Sequence, residues 1–395
     1  MKRIIIASIT LLMAAGSFAT ARHKNADIVC GPYVQCVTET GFTVVWSTDV
    51  DAVAWVEVAP DDGTHFYNKD RDKFYDGRGH GILPIGKIHK IEVDGLEPGK
   101  NYRYRLMYKG VVSYNGSGDV KYSKTKGTDV YRGHPYRVST FRKDYDTLRF
   151  DVYNDIHGKD SLFNMLLSQS KGVCDFVFLN GDMTSNISNH EMIADMYLGT
   201  AARHLKGSTP LFVSRGNHEL RGKDATRWFD YFTTPTGAPY YSFKIGKFFF
   251  IVLDACEDKP DNDIEYSGIV ASSQYLNRQE QWLKKELATE ECRNSEVRIA
   301  ICHVQPETKG WYGNAQMCEK LIPHLNEAGI DVMLCGHIHR WRAAEPDGSL
   351  SNAEFPVICN PNMQRMEVSA TNETIEINTF CTKGNRTNTY TVKLK

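Results

Sequence analysis

Two histidines, His337 and His339, stand with one residue between them, directly after an apolar run that ends in Gly336. On an extended backbone, side chains at positions i and i+2 point to the same side. Two imidazoles placed in this way can bind one metal ion together, whereas a lone histidine there would mean little. The segment from Asp331 to Trp341 therefore indicates a metal site where a buried strand ends.

Four further polar motifs also follow apolar runs that are typical of strands. In chain order they contain Asp155 and His157, then Asp182, then Asn217 with His218 and Glu219, then His303. The carboxyl ends of strands in an open α/β sheet form the edge where ligands bind. A D-x-H or G-D motif means little by itself, but the ordered set at five strand ends is far rarer. Carboxylate, imidazole and amide ligands together suit borderline metals such as Zn, Mn and Fe.

The ordered set resembles the calcineurin-like metallophosphoesterase superfamily, whose pattern is D-x-H, G-D, G-N-H-[D/E], H and G-H-x-H. All five blocks are present in this order between Asp155 and His339, and the resemblance extends from about Leu148 to the end of the chain. The β-rich segment before it makes the whole chain resemble the purple acid phosphatase branch. That branch has D-x-G in the first block and a tyrosine three residues after the G-D aspartate. This chain has His157 and Ser185 at those positions, which implies a relative without the purple colour.

The resemblance implies that the motif residues bind two metal ions, of Fe, Zn or Mn. By that assignment the first metal is bound by Asp155, His157 and His339. The second is bound by Asn217, His303 and His337, with Asp182 bridging both. A hydroxide between the metals would attack phosphorus, and the net positive charge of the loaded site suits a phosphate anion.

The same resemblance places His218 above the metals, where it would hydrogen-bond a phosphate oxygen and help to protonate the leaving group. We therefore expect His218 and Asp182 to be catalytic. Substrate contacts are expected from Asn217, His218 and Asn154. Glu219 either holds the His218 imidazole or is a carboxylate at a helix start.

Two other charged features near the motifs have simpler interpretations. Arg215 could contact phosphate, but a salt bridge is the stronger expectation. The acidic loop from Cys256 to Gly268 could line the entrance to the site, but we interpret it as a solvated loop without a specific role.

The elements that must position these residues alternate between strands and helices from about Leu148 onward. Helical patterns cover Ser161–Ser170, Glu191–Leu205, residues 278–290 and about Asn314–Ala328. This order predicts an α/β fold with strands added at its end. The resemblance makes the prediction more specific, namely a four-layer α/β/β/α metallophosphoesterase sandwich over residues 147–395.

Residues 27–143 precede this fold and read as short strands with turns between them. Phe42, Val44 and Trp46 alternate along one such strand. The stretch GLEPGKNYRYRL resembles the strand-turn-strand signature of fibronectin type III-like modules. We therefore predict an all-β fibronectin type III-like sandwich, with a long loop from Gly110 to Pro135.

Composition limits the classes of function and partner. The chain has 395 residues, of which 41% are hydrophobic and 24% charged, as is typical of a folded globular protein. Its formal net charge of −1 gives no basic excess that would indicate a nucleic-acid partner. The expected partner is a small phosphorylated substrate, and the oligomeric state is left open.

The first residues predict export. Residues 1–21 contain a basic start, an apolar run and an A-x-A arrangement of Ala19 and Ala21, which is typical of a secretory signal peptide. A transmembrane anchor is the alternative, but it needs about 20 apolar residues and the run is shorter. We expect a secreted, periplasmic or extracellular protein without a stable membrane anchor. Cys30 and Cys36 are the best candidates for a disulfide.

Together these features predict an exported, dinuclear metal-dependent phosphoesterase that hydrolyses phosphate monoesters. A phosphodiesterase or nucleotidase is the main alternative, because it would use the same metal ligands. A non-catalytic surface binding protein, with the β-rich module as its working part, is an alternative from another class, although the intact ligand set argues against it. The near-neutral charge disfavours a nuclease.

Overall fold

The computed structural model describes residues 25–132, 134–170 and 174–394. The predicted signal peptide, residues 1–21, lies outside these ranges. The described strands are β1 Ile28–Gln35, β2 Phe42–Pro60, β3 Lys73–Tyr75, β4 Gly86–Val93, β5 Asn101–Tyr114, β6 Val120–Tyr122, β7 Lys126–Gly127, β8 Tyr136–Ser139, β9 Leu148–Tyr153, β10 Phe176–Asn180, β11 Leu211–Ser214, β12 Tyr241–Ile245, β13 Phe248–Leu253, β14 Val297–Cys302, β15 Val332–Cys335, β16 Arg342–Ala344, β17 Val357–Cys359, β18 Gln364–Ala370, β19 Thr374–Cys381 and β20 Arg386–Lys393.

The helices are fewer and shorter than the strands. The described α-helices are α1 Asp160–Ser168, α2 Gly199–Leu205, α3 Trp228–Tyr231, α4 Ser272–Leu287, α5 Glu290–Arg293, α6 Tyr312–Lys320 and α7 Ile322–Glu327. A π-helical turn spans Ala194–Leu198, and short 3₁₀ turns span Gly77–Gly79, His218–Leu220, Ala225–Arg227 and Ile264–Tyr266. Within the described ranges, no helix combines the length and the apolar character needed to cross a bilayer.

The predicted helices are present, with different boundaries. The helix expected over 191–205 is a π-helical turn followed by α2. The helix expected over 314–328 is divided into α6 and α7, because Pro323 in the first turn of α7 lacks the N–H that would continue the helical hydrogen bonding. Helix α4 begins six residues before the predicted stretch of residues 278–290 and ends at Leu287.

The N-terminal part, strands β1 to β8, is all-β and is organised around the 19-residue strand β2. The first half of β2 pairs with β1 and β4, and its second half pairs with β3 and β5. One long strand therefore joins two layers of a sandwich. The loop predicted from Gly110 to Pro135 is wrong in part, because β5 continues to Tyr114, and β6 and β7 return along it.

Two six-stranded sheets follow, and they confirm the predicted α/β layers. The first has the order β11-β10-β9-β18-β19-β20, and the second has the order β12-β13-β14-β15-β17-β16. A large apolar cluster, which includes Phe150, Phe176 and Phe250, fills the space between the sheets. The outer face of the first sheet packs against α1 and α2, and that of the second packs against α4, α6 and α7. The order of layers is therefore α/β/β/α.

The central strands of both sheets run parallel, and this direction decides where the motifs lie. Strands β9, β10 and β11 are parallel neighbours, as are β13, β14 and β15. All five predicted motifs directly follow the carboxyl ends of β9, β10, β11, β14 and β15. Because parallel strands end at one edge, the two sheets deliver these residues to a common place.

The predicted disulfide is wrong, because all ten cysteines are free thiols. Cys30 is buried in the apolar cluster beside the first sheet. Cys36, beyond the end of β1, has its Sγ 3.5 Å from the carbonyl oxygen of Thr233. The two sulfur atoms therefore have separate surroundings.

The N-terminal β-domain and the α/β part share one apolar core. The cluster between the two six-stranded sheets continues to Trp46 and Tyr104 of the N-terminal strands. Tyr104 is fully buried, and its hydroxyl donates a hydrogen bond of 2.7 Å to the carbonyl oxygen of Gly207, just beyond α2. Both parts of the chain therefore stabilise each other.

We predict that Tyr104→Phe lowers the free energy of unfolding by about 1–3 kcal/mol, because the buried carbonyl of Gly207 loses its partner. Urea unfolding followed by circular dichroism measures the change, and both domains should unfold in one transition. The exposed Tyr122→Phe is the matched control and should leave stability unchanged. Equal stability of Tyr104→Phe and the wild type would contradict the prediction.

Candidate metal centre

The structure brings the seven predicted ligand residues together at the shared edge of the two sheets. In a first group, His339 Nε2 lies 3.1 Å from Asp155 Oδ1 and 3.1 Å from His157 Nε2. Each of these three residues offers a ligand atom within 4.8 Å of the others. Asp155 and His157 follow β9 and His339 follows β15, so the group joins the two sheets.

A second group forms beside the first. His303 Nε2 lies 2.9 Å from Asp182 Oδ2, and His337 Nδ1 lies 3.1 Å from Asn217 Oδ1. The two groups are contiguous, because His303 Nε2 is also only 3.8 Å from Asp155 Oδ1. The arrangement therefore offers ligands for more than one cation in adjacent positions.

Unpartnered buried atoms show that this cluster suits a cation. Among the described residues, His337 Nε2 is buried without a hydrogen-bond partner. Asp155 Oδ1 and His303 Nε2 are also buried, and they face only other members of the candidate ligand set. Buried polar side-chain atoms are almost always hydrogen-bonded in folded proteins. Carboxylate oxygens and imidazole nitrogens are also the ligand types of first-row metals. The residues present therefore fit a metal ion.

The backbone of the candidate ligands is held in an unusual conformation. The φ angle is positive at five non-glycine residues of the set, namely Asp155, His157, Asp182, His337 and His339. The left-handed region costs about 1–3 kcal/mol for each such residue and persists only where the surrounding structure enforces it. The tight turns after β9, β10 and β15 impose this backbone and direct the side chains toward one another.

Hydrogen bonds to the far ring nitrogens fix two of the histidines. His303 Nδ1 donates to the carbonyl oxygen of Asn180 at 2.7 Å, which leaves Nε2 facing Asp182. His218 Nδ1 donates to the carbonyl oxygen of Ser185 at 2.9 Å, which leaves Nε2 facing Asp182 Oδ2 at 3.9 Å and Arg221 Nη1 at 3.5 Å. Such bonds select the tautomer and the orientation of an imidazole.

Two hydrogen bonds, from different segments of the chain, hold the Asp155 carboxylate. The backbone N–H of His337 donates to Asp155 Oδ2 at 2.9 Å, and Asn154 Nδ2 donates to the same oxygen at 2.5 Å. Asn154 also exchanges hydrogen bonds with Asn360, and it is fully buried. This placement argues against the predicted contact between Asn154 and substrate. Gly336 is required here, because a Cβ atom would lie 2.8 Å from Asp155 Oδ2.

The Glu219 carboxylate lies against the loop backbone and not against the imidazole of its neighbour His218. Its Oε2 accepts the N–H groups of Asp182 and Gly216, each at 2.8 Å. Its Oε1 accepts the N–H group of Met183 at 2.8 Å. Glu219 therefore ties the loop after β10 to the loop after β11. Gly216 leaves the space for this contact, because a Cβ atom there would collide with the Asp182 carboxylate.

The charges of the cluster shift its pKa values strongly. Burial acts to lower the pKa of His303, but the carboxylates of Asp182 and Asp155 raise it to about 10. Burial, followed by the His303 charge, lowers the pKa of His337 to about 4. The buried carboxylates thus create a strong preference for positive charge at His303, where a cation competes with the proton.

A cleft of about 500 Å³ opens above this cluster, and sequence reasoning missed most of its walls. Those wall residues are Arg221, Asp258, Lys259, Glu265, Trp311, Ile338 and Arg340. The acidic loop interpreted as solvated is in fact bound to the site, because Arg221 pairs with Glu257 at 3.0 Å and with Glu265 at 3.3 Å. Only the proximity of Arg221 to the G-N-H-E motif and the charge of the loop could have indicated this pairing.

Arg215 forms the expected salt bridge, at 2.7 Å from Asp254.

Comparison with known proteins agrees with the motifs. Residues 148–341 match the family model described as calcineurin-like phosphoesterase. The chain is similar to purple acid phosphatase 15 of Arabidopsis thaliana, with 24% identity over 286 residues that cover 65% of this chain and 49% of that protein. The chain thus spans about half the length of this curated relative.

Solved structures show the same fold. Purple acid phosphatase PPD1 from yellow lupin (Lupinus luteus) seeds aligns with a TM-score of 0.65 and 14% identity, over 92% of this chain and 74% of that one. The structure of PhoD aligns with a TM-score of 0.61 and 14% identity, over 92% of this chain and 90% of that one. The predicted fold class is therefore confirmed by these alignments as well as by the layers.

We predict that Glu219→Gln weakens metal binding about 10- to 100-fold, because an amide group would face backbone N–H donors and loosen the loop that carries Asp182. Titration of the purified protein with Zn²⁺ or Mn²⁺, read by elemental analysis after dialysis, measures the change. The matched control is Glu376→Gln on an exposed position of β19. Wild-type affinity in Glu219→Gln would show that this carboxylate does not organise the ligands.

Proposed function

We propose that this chain, whose residues 148–341 form a calcineurin-like phosphoesterase domain, is a dinuclear metal-dependent phosphatase that hydrolyses phosphate monoesters. The observation that carries the proposal is the convergence of seven ligand-type side chains, among which buried His337 Nε2 has no hydrogen-bond partner within the described residues. A phosphate ester is the substrate class of the family to which the domain belongs.

The proposed ligand division follows the two groups of contacts. One metal would be held by Asp155, His157 and His339, and the other by Asn217, His303 and His337, with Asp182 between them. Two bound metals supply positive charge and a water acidic enough to act as a nucleophile near neutral pH. The side chains of this chain orient those charges and hold the ester in the cleft.

His218 is the proposed general acid. Its Nε2 lies 3.9 Å from Asp182 Oδ2, and its ring is fixed through the bond from Nδ1 to Ser185. Its side chain is 27% exposed toward the cleft, so it can reach an ester oxygen that the metal ligands cannot. A proton held on Nε2 in this position can pass to the oxygen of the departing alcohol.

The metal pair is proposed to lack the coloured iron–phenolate unit. Ser185 occupies the position of the tyrosine of the purple branch, and its Oγ lies 3.4 Å from His157 Nδ1. A hydroxyl at that place can orient the His157 ring but offers no phenolate to a metal. Zn, Mn or Fe²⁺ with nitrogen and oxygen ligands fits the remaining set.

Export to the periplasm or medium is also part of the proposal. It rests on the signal-peptide pattern of residues 1–21, which lies outside the described residues. A fibronectin type III-like role for the N-terminal β-domain likewise stays a proposal, supported by its strand-turn-strand sequence GLEPGKNYRYRL.

We predict that His218→Ala lowers kcat about 10²- to 10⁴-fold and keeps the bound metal, because His218 acts on the leaving group and is not a required ligand. Asp182→Ala should lose both metal and activity. Elemental analysis of the reconstituted variants, beside kinetics with p-nitrophenyl phosphate, separates the two effects. The exposed His80→Ala is the control. Full activity of His218→Ala would remove the proposed acid.

We predict faster hydrolysis of p-nitrophenyl phosphate than of bis(p-nitrophenyl) phosphate, because the dianionic monoester gains more from a positive centre. The metal-reconstituted protein is assayed with both esters across pH 5 to 9, and a chelator-treated sample should be inactive. A preference for the diester would favour the phosphodiesterase alternative. Metal binding without hydrolysis of either ester would favour the binding protein.

A further inference from the structure

The cleft above the metal cluster has two chemically different walls. On one side stand Arg221 and Lys259, each paired with carboxylates of the acidic loop. On the other side stand Trp311 and Ile338, which follow β14 and β15. The cations of the first wall are already neutralised by their partners, so that wall offers little to a second anionic group. The second wall is apolar except for the exposed Arg340, which follows His339.

Trp311 is unusually exposed for its type. Its side chain is 61% exposed, although tryptophan is among the residues most strongly driven to burial. Its ring lies edge-to-face with the ring of His337, at 5.6 Å between centroids and 85° between planes. Because His337 is a candidate metal ligand, the indole stands directly beside the place where a phosphate would bind.

The Trp311 backbone is anchored to the strand that carries His303. Its N–H donates to Asn314 Oδ1 at 3.1 Å, and Asn314 Nδ2 donates to the carbonyl oxygen of Gln305 at 2.7 Å. Asn314 is buried, and Gln305 lies two residues beyond His303. The backbone at Trp311 is therefore fixed, and the edge contact of its ring with His337 places the indole beside the candidate ligands, which limits the ordering needed on binding.

We propose that Trp311 is a specificity-determining residue that favours phosphate monoesters with a planar aromatic leaving group. The inference rests on the proposed phosphatase function and adds the substrate class. When the phosphate occupies the metal cluster, the ester oxygen points away from the metals into the cleft. A planar ring attached to that oxygen can stack on the indole, whereas a flexible alkyl group cannot use the same contact.

The test compares phenyl phosphate with glycerol 2-phosphate in the metal-reconstituted wild type, Trp311→Phe and Trp311→Ala. Because each variant is compared with the wild type on both esters, the difference in leaving-group acidity cancels. We expect Trp311→Ala to lower the aryl-to-alkyl ratio of kcat/KM roughly three- to tenfold, and Trp311→Phe to retain most of it. Tyr114→Ala, which removes an equally exposed aromatic ring from the N-terminal domain, should leave the ratio unchanged.

An unchanged ratio in Trp311→Ala would overturn the inference, as would an equal fall on both esters. A second measurement keeps this failure distinct from failure of the proposed function. Competition binding of phenylphosphonate and ethylphosphonate to the metal-loaded protein does not require turnover. The wild type should prefer the phenyl compound and Trp311→Ala should lose that preference, and equal affinities in the wild type would overturn the inference even if both esters are hydrolysed. If neither ester is hydrolysed, the phosphatase proposal fails and the inference about substrates fails with it.

Discussion

Two buried carboxylates, Asp155 and Asp182, require compensation of their negative charge, and the surrounding structure supplies it. Each is about 1% exposed, and an ionised carboxylate in a protein interior is destabilising unless it is hydrogen-bonded and its charge is compensated. The partners are the backbone N–H groups of His337 and His218 and the imidazole of His303. These partners come from three further strand ends, so the carboxylates are stabilised only when both sheets are in place.

The same constraint explains why strain is tolerated at this edge. Left-handed backbone at five candidate ligands costs free energy, and it is enforced by the rigid strands on either side. Behind these strands, aromatic rings pack closely between the sheets, with Phe150 and Phe176 at 4.6 Å and Phe243 and Phe250 at 4.5 Å between centroids. A densely packed core is hardly compressible, so the strands give the loops a rigid base on which the candidate ligands are held. The chain therefore uses core stability to keep polar groups close together that would otherwise separate.

The sequence predicted which polar residues lie together at the shared edge of the sheets, but it predicted their surroundings poorly, for a physical reason. His337 and His339 were recognisable because strand direction and residue type are local properties, and parallel strands carry such residues to one edge. The pairing of Arg221 with the acidic loop was not recognisable, because it joins segments whose only local signal is charge. The burial of Asn154 was not recognisable either, since its hydrogen-bond partner Asn360 lies 206 residues later in the chain. The disulfide prediction failed because nearness in sequence does not bring two thiols together along an extended strand.

The candidate ligands and the cleft walls differ in how strongly the buried carboxylates depend on them. The ligands and Glu219 satisfy one another's charges and donors, so a change in one disturbs the buried carboxylates. Trp311 and the acidic loop stand in front of this network, and the carboxylates do not depend on them for compensation. Substitutions in those walls can therefore change the surface of the cleft while the charge compensation of the candidate ligands is kept. This separation is why the candidate ligand set points only to the proposed class of reaction, while any selection among esters must be sought in the walls of the cleft.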